Sequence, residues 1–108
     1  MLYTEFNGLK LRLTTRDIVD LEKTLGKNPI YVFMNEANNN TPTVEEMVEI
    51  FHASLKTFHP ELTKDNCFEK LDEWLEEGHI INEFVAVVTE LFQCSGLFAR
   101  KKKKTEKN

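Results

Sequence analysis

The side chains that most often carry chemistry are few and widely spaced in this chain of 108 residues. Its histidines and cysteines are His52, His59, Cys67, His79 and Cys94. No pair of them has the close spacing of zinc-binding motifs, and His52 and His59 lie seven residues apart on a predicted helix that ends at the second. We therefore expect ordinary histidines at helix faces and helix ends, with no metal site and no cofactor.

The other arrangements that support catalysis are also not predicted. Cys94 falls at the C-terminal end of a predicted helix, where the negative end of the helix dipole disfavours a reactive thiolate. Adjacent carboxylates such as Glu45 and Glu46 diverge by about 100° around a helix, so they do not converge on one substrate atom. All four glycines fall at predicted turns or helix ends, which leaves none for a phosphate-binding loop. We expect a protein that is not an enzyme.

The net charge of −4 is unevenly distributed along the chain. Residues 1–42 are balanced, with five Lys/Arg and five Asp/Glu. Residues 43–99 are acidic, with three Lys/Arg and twelve Asp/Glu, and residues 100–108 are basic, with six Lys/Arg and one Asp/Glu. Binding to nucleic acid requires clustered Lys and Arg, so the acidic body argues against a duplex-binding surface. No aromatic residue interrupts Lys101–Lys104, so the basic end lacks a base-stacking platform.

Length and hydropathy predict one domain in a reducing compartment. Tyr3, Glu5 and Asn7 interrupt any apolar run at the N-terminus, which is unlike a secretory leader. No run approaches the roughly 18 apolar residues of a membrane span. We expect a cytoplasmic domain over residues 1–99, large enough to fold without metal or disulfides, followed by a basic disordered tail over residues 100–108.

The N-terminus predicts a β-hairpin over residues 2–13, with Asn7-Gly8 as a type I′ turn. A two-residue loop places apolar pairs on one face and polar pairs on the other. The apolar face pairs Phe6 with Leu9, Thr4 with Leu11 and Leu2 with Leu13. The outer face pairs Glu5 with Lys10 and Tyr3 with Arg12. An isolated hairpin is marginal in water, so its apolar face should pack on helices.

The rest of the chain predicts helices over 16–25, 29–36, 44–58, 64–77 and 80–94. Thr14 or Thr15 caps the first helix, Thr43 and Glu46 form a capping box, Thr63 caps the helix 64–77, and Gly26 and Gly78 end two helices. The predicted fold class is therefore mainly α within the α+β class, with the hairpin packed on a bundle of about four to five helices.

Apolar residues at helical spacing predict the core. The stripe of 44–58 contains Val44, Met47, Val48, Phe51, Leu55 and Phe58. The stripe of 64–77 contains Cys67, Phe68, Leu71, Trp74 and Leu75. The widest stripe belongs to 80–94 and contains Ile80, Ile81, Phe84, Val85, Val87, Val88, Leu91 and Phe92. We expect the other helices to surround this last helix, because so wide a stripe needs several partners.

A family resemblance adds what the spacing of residues does not provide. Three parts of the chain carry it: Leu13-Thr14-Thr15-Arg16-Asp17 with Leu21-Glu22-Lys23, Leu25-Gly26 and Asn28-Pro29; Phe51-His52-Ala53-Ser54-Leu55; and Ser95-Gly96-Leu97-Phe98. Together they resemble the small tail assembly chaperones of long-tailed phages and prophages, and related gene-transfer-agent proteins.

The resemblance implies a non-enzymatic protein of the bacterial host cytoplasm that is absent from the finished virion. It would bind the tape measure protein and help tail tube protein assemble around it. Members of such families often have a longer form made by programmed frameshifting. Lys101–Lys104 fits this idea, because consecutive lysine codons can form the run of adenines on which ribosomes shift.

The basic end and the apolar pair before it are the predicted partner-binding residues: Leu97, Phe98, Arg100, Lys101, Lys102, Lys103 and Lys104. Two alternatives remain open for them. The apolar pair can instead cap the core, and the lysines can simply be a solubilising terminus. The alternative function is a small helical adaptor or regulatory protein whose basic tail contacts nucleic acid, with salt-dependent binding.

Overall fold

A computed structural model describes residues 2–30 and 42–96, which form an antiparallel hairpin followed by four helices. The elements are β1 Thr4–Phe6, β2 Leu9–Leu11, α1 Thr15–Leu25, α2 Val44–Ser54, α3 Lys64–Glu76 and α4 Ile81–Cys94. The predicted fold class, an α+β fold with the hairpin on a helical bundle, is confirmed. Pro29 and Ile30 are helical, and the remainder of the predicted helix 29–36 lies outside the described residues.

The hairpin has the predicted turn and register but is shorter than predicted. Asn7 and Gly8 have φ values of 52° and 87°, and both residues of a type I′ turn need positive φ. The pairs are Thr4 with Leu11, Glu5 with Lys10 and Phe6 with Leu9. The predicted extension to residues 2 and 13 is wrong, because the chain leaves β2 to cap α1.

Three helices begin with a threonine in a reciprocal capping box. In each, the threonine hydroxyl accepts from a backbone N–H three residues later, and that residue's side chain accepts from the threonine N–H. The pairs are Thr14 with Asp17, Thr43 with Glu46, and Thr63 with Asn66. The cap of α1 is therefore Thr14 rather than Thr15, and α1 ends at Gly26 in the predicted left-handed conformation.

Helix α2 ends at Ser54, so the predicted helix 44–58 is too long. A longer helix would need the Ser54 carbonyl to accept from the N–H of Phe58. That carbonyl accepts instead from the N–H of Arg12, at 2.9 Å. The N–H of Leu55 donates to the carbonyl of His52, three residues earlier, so the chain leaves the α-helix through a tighter turn of the 3₁₀ type. The bounds of α1, α3 and α4 differ from the predictions by one residue at most at each end.

Helix α2, not the last helix, lies at the centre of the bundle. It packs on α1, α3 and α4, whereas α4 packs chiefly on α2 and β1 and meets α3 at the ring pair of Phe84 and Trp74. Six of the eleven α2 residues are buried: Met47, Val48, Ile50, Phe51, Ala53 and Ser54. The expectation that the other helices surround 80–94 is wrong, because the width of the α4 stripe includes a half-buried flank at Ile81, Val85 and Val87.

The aromatic side chain of Phe6 joins the hairpin to the helices. Its ring lies edge-on against Phe51, Trp74 and Phe84, with ring centroids 5.4, 5.0 and 5.2 Å apart. Such geometry aligns the positive edge of one ring with the negative face of another. The predicted packing of the hairpin's apolar face on the helices is therefore confirmed at this residue.

Three residues that the helix stripes predict to face the core are exposed: Val44, Phe68 and Ile80 are 47%, 40% and 59% exposed. Five more are half-buried, namely Phe58, Leu75, Ile81, Val85 and Val87. Val44 and Ile80 lie at helix N-termini, beyond the packed part of each stripe. Phe68 follows the buried Cys67 on α3, and the next position around a helix turns about 100° away from the core.

Candidate functional site

The predicted partner-binding residues lie outside the described part of the chain. They are Leu97, Phe98, Arg100, Lys101, Lys102, Lys103 and Lys104. Their role therefore stays a prediction, as does the boundary between the domain and its tail at residue 99.

The cysteine at the core of α3 is unsuited to nucleophilic chemistry. Cys67 is fully buried, and desolvation by burial raises the pKa of its thiol to about 11. The positive charge of Lys70 opposes this rise without cancelling it. At neutral pH the thiol is therefore protonated and behaves as a small apolar group of the core.

The three histidines have separate surroundings. His52 is half-buried on α2, and His59 accepts a hydrogen bond from the backbone N–H of Lys10. The ring of His79 stacks on Trp74 at 4.2 Å, and its Nδ1 lies 2.8 Å from Oε1 of Glu83. Over residues 2–30 and 42–96, no three His, Cys, Asp or Glu side chains are grouped to hold a metal ion. Each helix in these ranges is too short or too polar to cross a membrane.

A cleft of about 300 Å³ lies between the C-terminal end of α1 and the start of α2. Its lining residues are Thr24, Leu25, Lys27, Thr43, Glu45, Glu46 and Glu49. Ligand pockets are usually apolar with a few polar groups, whereas leucine is the only large apolar side chain in this lining. We therefore interpret the cleft as a polar seam between two helices.

Ion pairs already neutralise much of this polar seam. Nζ of Lys27 lies 2.6 Å from Oε2 of Glu46, and the Lys64 ammonium pairs with Glu49 and, at 3.8 Å, with Glu45. Partial burial raises the pKa of Glu46, but hydrogen bonds from Lys27 and the Thr43 N–H outweigh it, so the pKa lies below its ordinary value. The hydrogen bond to Glu49 raises the pKa of Lys64. These contacts stabilise the junction of α1, α2 and α3.

An acidic surface covers the solvent side of α3 and α4. Its exposed carboxylates are Asp65, Glu69, Asp72, Glu73, Glu76, Glu77, Glu83 and Glu90. Residues 43–96 contain twelve Asp and Glu but three Lys, so this half of the domain repels polyanions. Carboxylates on exposed helix faces also favour solubility.

A mixed aromatic and cationic surface lies beside the hairpin. We call it the hairpin patch and define it as Tyr3, Lys10, Phe58 and His59. The rings of Tyr3 and Phe58 meet edge to face with centroids 5.8 Å apart. Nζ of Lys10 lies 5.0 Å from the Tyr3 centroid and 5.5 Å from the Phe58 centroid, within the range of cation–π attraction.

Two features of the fold bring the hairpin patch together. Tyr3 and Lys10 are diagonal neighbours on the outer face of the hairpin, so their contact follows from the register. Phe58 and His59 lie next to Tyr3 and Lys10 because α2 ends at Ser54 and the chain then crosses the outer edge of β2. There the N–H of Lys10 donates to Nε2 of His59 at 3.2 Å, which places the proton of neutral His59 on Nδ1.

The sequence prediction missed this surface. The diagonal pair was available from the hairpin register, but Phe58 was assigned to the core face of a helix. The signal that could have found it is the position of Phe58, at the end of its stripe and immediately before His59-Pro60. Pro60 disfavours the helical conformation of His59, and helices usually end at or before the residue that precedes a proline.

The chain belongs to a family of unknown function, DUF6096, whose sequence model matches residues 4–108. The match includes the hairpin and all four described helices. No curated protein and no solved structure matches the chain. The family description assigns no activity, so function has to be argued from the residues.

Proposed function

We propose that this member of DUF6096 is a non-enzymatic tail assembly chaperone of a long-tailed phage or prophage. It would bind the tape measure protein in the bacterial cytoplasm and assist assembly of the tail tube. The observation that carries the proposal is the resemblance of the segment from Leu13 to Pro29 to the N-terminal signature of these chaperones.

The residues of that segment together set the start and the end of α1, which supports treating them as a signature. Leu13 is buried, and Thr14 begins α1 with a capping box. Gly26 ends α1 with a φ of 73°, and the side chain of Asn28 accepts from the N–H of Ile30 at 2.9 Å. The similar positions therefore define the start and end of one helix and its connection to the next segment.

The charge distribution of the domain supports a chaperone mechanism. A tape measure protein is long and helical, and its apolar stripes are exposed until tube subunits cover them. A small domain that covers such a stripe while presenting the acidic surface of α3 and α4 would keep the complex dispersed. Its contacts have to remain weak enough for tube subunits to displace it.

The proposed partners include tape measure protein, tail tube protein and a longer frameshifted form of this chain. The frameshift proposal is tested by the codons of Lys101–Lys104. An adenine-rich run followed by an overlapping reading frame would support it. Other codons at these positions, or no downstream frame, would remove it.

Co-expression tests the chaperone proposal. The tape measure gene of the same genome would be expressed alone and together with this chain, and the soluble fraction would be compared by gel filtration. We expect the soluble tape measure protein to increase and to elute with the chain. A genome without such a gene, or a tape measure protein that aggregates equally in both cases, would contradict the proposal.

The basic end can be tested in the same assay. A chain ending at Gly96 lacks Leu97, Phe98 and all of the tail cations. If these residues bind the partner, the shortened chain should recover less tape measure protein. A gel shift with nucleic acid that weakens with salt and disappears on removing residues 100–108 would instead favour the adaptor function.

A further inference from the structure

We propose that the hairpin patch is a docking surface for an amphipathic helix that carries carboxylates beside its apolar stripe. The inference deepens the proposed function and rests on it in one respect, since it takes the tape measure protein as the source of that helix. The surface and the chemistry of the helix follow from the patch itself.

The charge of Lys10 is available to a partner. Lys27, Lys56 and Lys64 each have a carboxylate within 4 Å. Among the described residues, no carboxylate lies that close to Lys10, although Glu5 is its cross-strand neighbour. The aromatic rings beneath its ammonium provide no hydrogen-bond acceptor of carboxylate strength, so its donors remain open to an incoming anion.

The aromatic part of the patch is partly exposed and its two rings pack on each other. Tyr3 is 41% exposed, and the half-buried Phe58 supports its ring edge to face. The bond from the Lys10 N–H to His59 holds this part of the chain against β2. An aromatic ring has few rotatable bonds and is already packed here, so it loses little conformational entropy when a partner binds, which favours its use as an anchor.

The spacing of the patch suits one face of a helix. Side chains three or four residues apart on a helix are about 5–6 Å apart at their Cβ atoms. Nζ of Lys10 lies 5.0 Å from the centroid of the Tyr3 ring. An apolar side chain can therefore pack on the part of Tyr3 that Lys10 leaves exposed, while a carboxylate one turn away meets Lys10.

The patch is less suited to nucleic acid. A base-stacking surface needs open ring faces, but Lys10 lies over the rings of both Tyr3 and Phe58. Phosphate binding gains strength from several cations, and the outer face of the hairpin provides Lys10 and Arg12 beside Glu5. A single carboxylate next to an apolar side chain matches this combination better.

Two synthetic peptides test the docking surface without any natural partner. Both are amphipathic helices with the same leucine stripe, flanked by glutamate in one and by lysine in the other. Titrated into the full chain labelled with ¹⁵N, the glutamate peptide should shift the amide resonances of residues 3–10 and 56–59. Judged by the shifts of these residues alone, the lysine peptide should bind about three- to tenfold more weakly, since repulsion from Lys10 replaces attraction; any shifts that it causes on the acidic surface of α3 and α4 are a separate site.

Charge reversal at Lys10 is the decisive variant. Lys10→Glu should weaken the glutamate peptide about three- to tenfold and favour the lysine peptide at the patch, because attraction becomes repulsion. Lys23→Glu on α1 makes the same charge change away from the patch and should leave both affinities within about twofold. Tyr3→Ser should weaken both peptides, because it removes the shared apolar contact. Circular dichroism would establish that each variant is folded.

The outcomes separate this inference from the proposed function. Equal binding of both peptides at the patch, glutamate-peptide shifts that map to other residues, or no binding of the glutamate peptide would overturn the docking surface. Binding of single-stranded RNA or of a second copy at the patch in place of the glutamate peptide would overturn it as well. If co-expression solubilises the tape measure protein equally with wild type and Lys10→Glu, the chaperone function stands and the patch is not its surface. If the peptides behave as expected but the tape measure protein stays insoluble, the docking surface stands and the chaperone function fails.

Discussion

Two valines on α2 provide a direct test of the packing. Val44 and Val48 lie four residues apart on the same predicted apolar stripe, so the sequence pattern treats them alike. In the structure Val48 is fully buried, whereas Val44 is 47% exposed at the first residue of the helix. The same substitution at both positions therefore separates the contribution of burial from that of residue type.

The expected losses follow from the number of methyl groups removed from the core. Val48→Ala removes two carbons, worth about 1.6 kcal/mol of transfer free energy at about 0.8 kcal/mol each. The cavity left behind raises the loss to about 2–3 kcal/mol. Val44→Ala loses little buried area and gains helix propensity, so its free energy of unfolding should change by less than about 0.5 kcal/mol.

Urea and thermal unfolding followed by circular dichroism would measure both variants. For a domain of this size, the Val48→Ala loss corresponds to a fall in Tm of roughly 10 °C. The urea m-value should be unchanged, because both variants expose the same surface on unfolding. Equal losses in the two variants, or a larger loss for Val44→Ala, would refute the assignment of α2 as the central helix.

Three further experiments test the cap of α1, the ion pair of Glu46 and the buried thiol. Thr14→Ala should lower the free energy of unfolding by about 1 kcal/mol in urea, because it removes the hydroxyl of a capping box. The pKa of Glu46 lies below its ordinary value of 4.5 in the folded state. Its contribution is therefore complete above pH 4.5 and disappears as the pH falls through the folded pKa. The stability advantage of wild type over Glu46→Gln should thus be constant at neutral pH and shrink as the pH falls below about 4.5, and Lys27→Met should show the same trend. In a Cys94→Ser background, the buried thiol of Cys67 should react with a disulfide reagent only as fast as the protein unfolds, and rapid labelling in the absence of urea would contradict its burial.

Local signals in the sequence predicted most of the secondary structure. The Asn7-Gly8 turn, the three threonine caps and Gly26 act through hydrogen bonds or φ values of residues close in the chain, which are readable from sequence alone. The hairpin register followed from its loop length for the same reason. These predictions succeeded because the deciding interactions span only a few residues.

The failures share a long-range cause. The end of α2 depends on Arg12, which is distant in sequence and whose backbone N–H donates to the carbonyl of Ser54. The central position of α2 depends on which helices contact it, and a stripe of apolar residues does not encode the number of its neighbours. The hairpin patch was missed for a related reason, because Phe58 reaches Tyr3 only after α2 has ended.

Affinity purification from the native host tests the central claim most directly. The chain would be tagged and recovered during tail production, and everything retained would be identified by mass spectrometry. The account predicts a long helical tape measure protein, together with a longer form that shares the N-terminal residues of this chain. Recovery of RNA-binding or regulatory proteins instead, with no tape measure protein, would contradict the chaperone function.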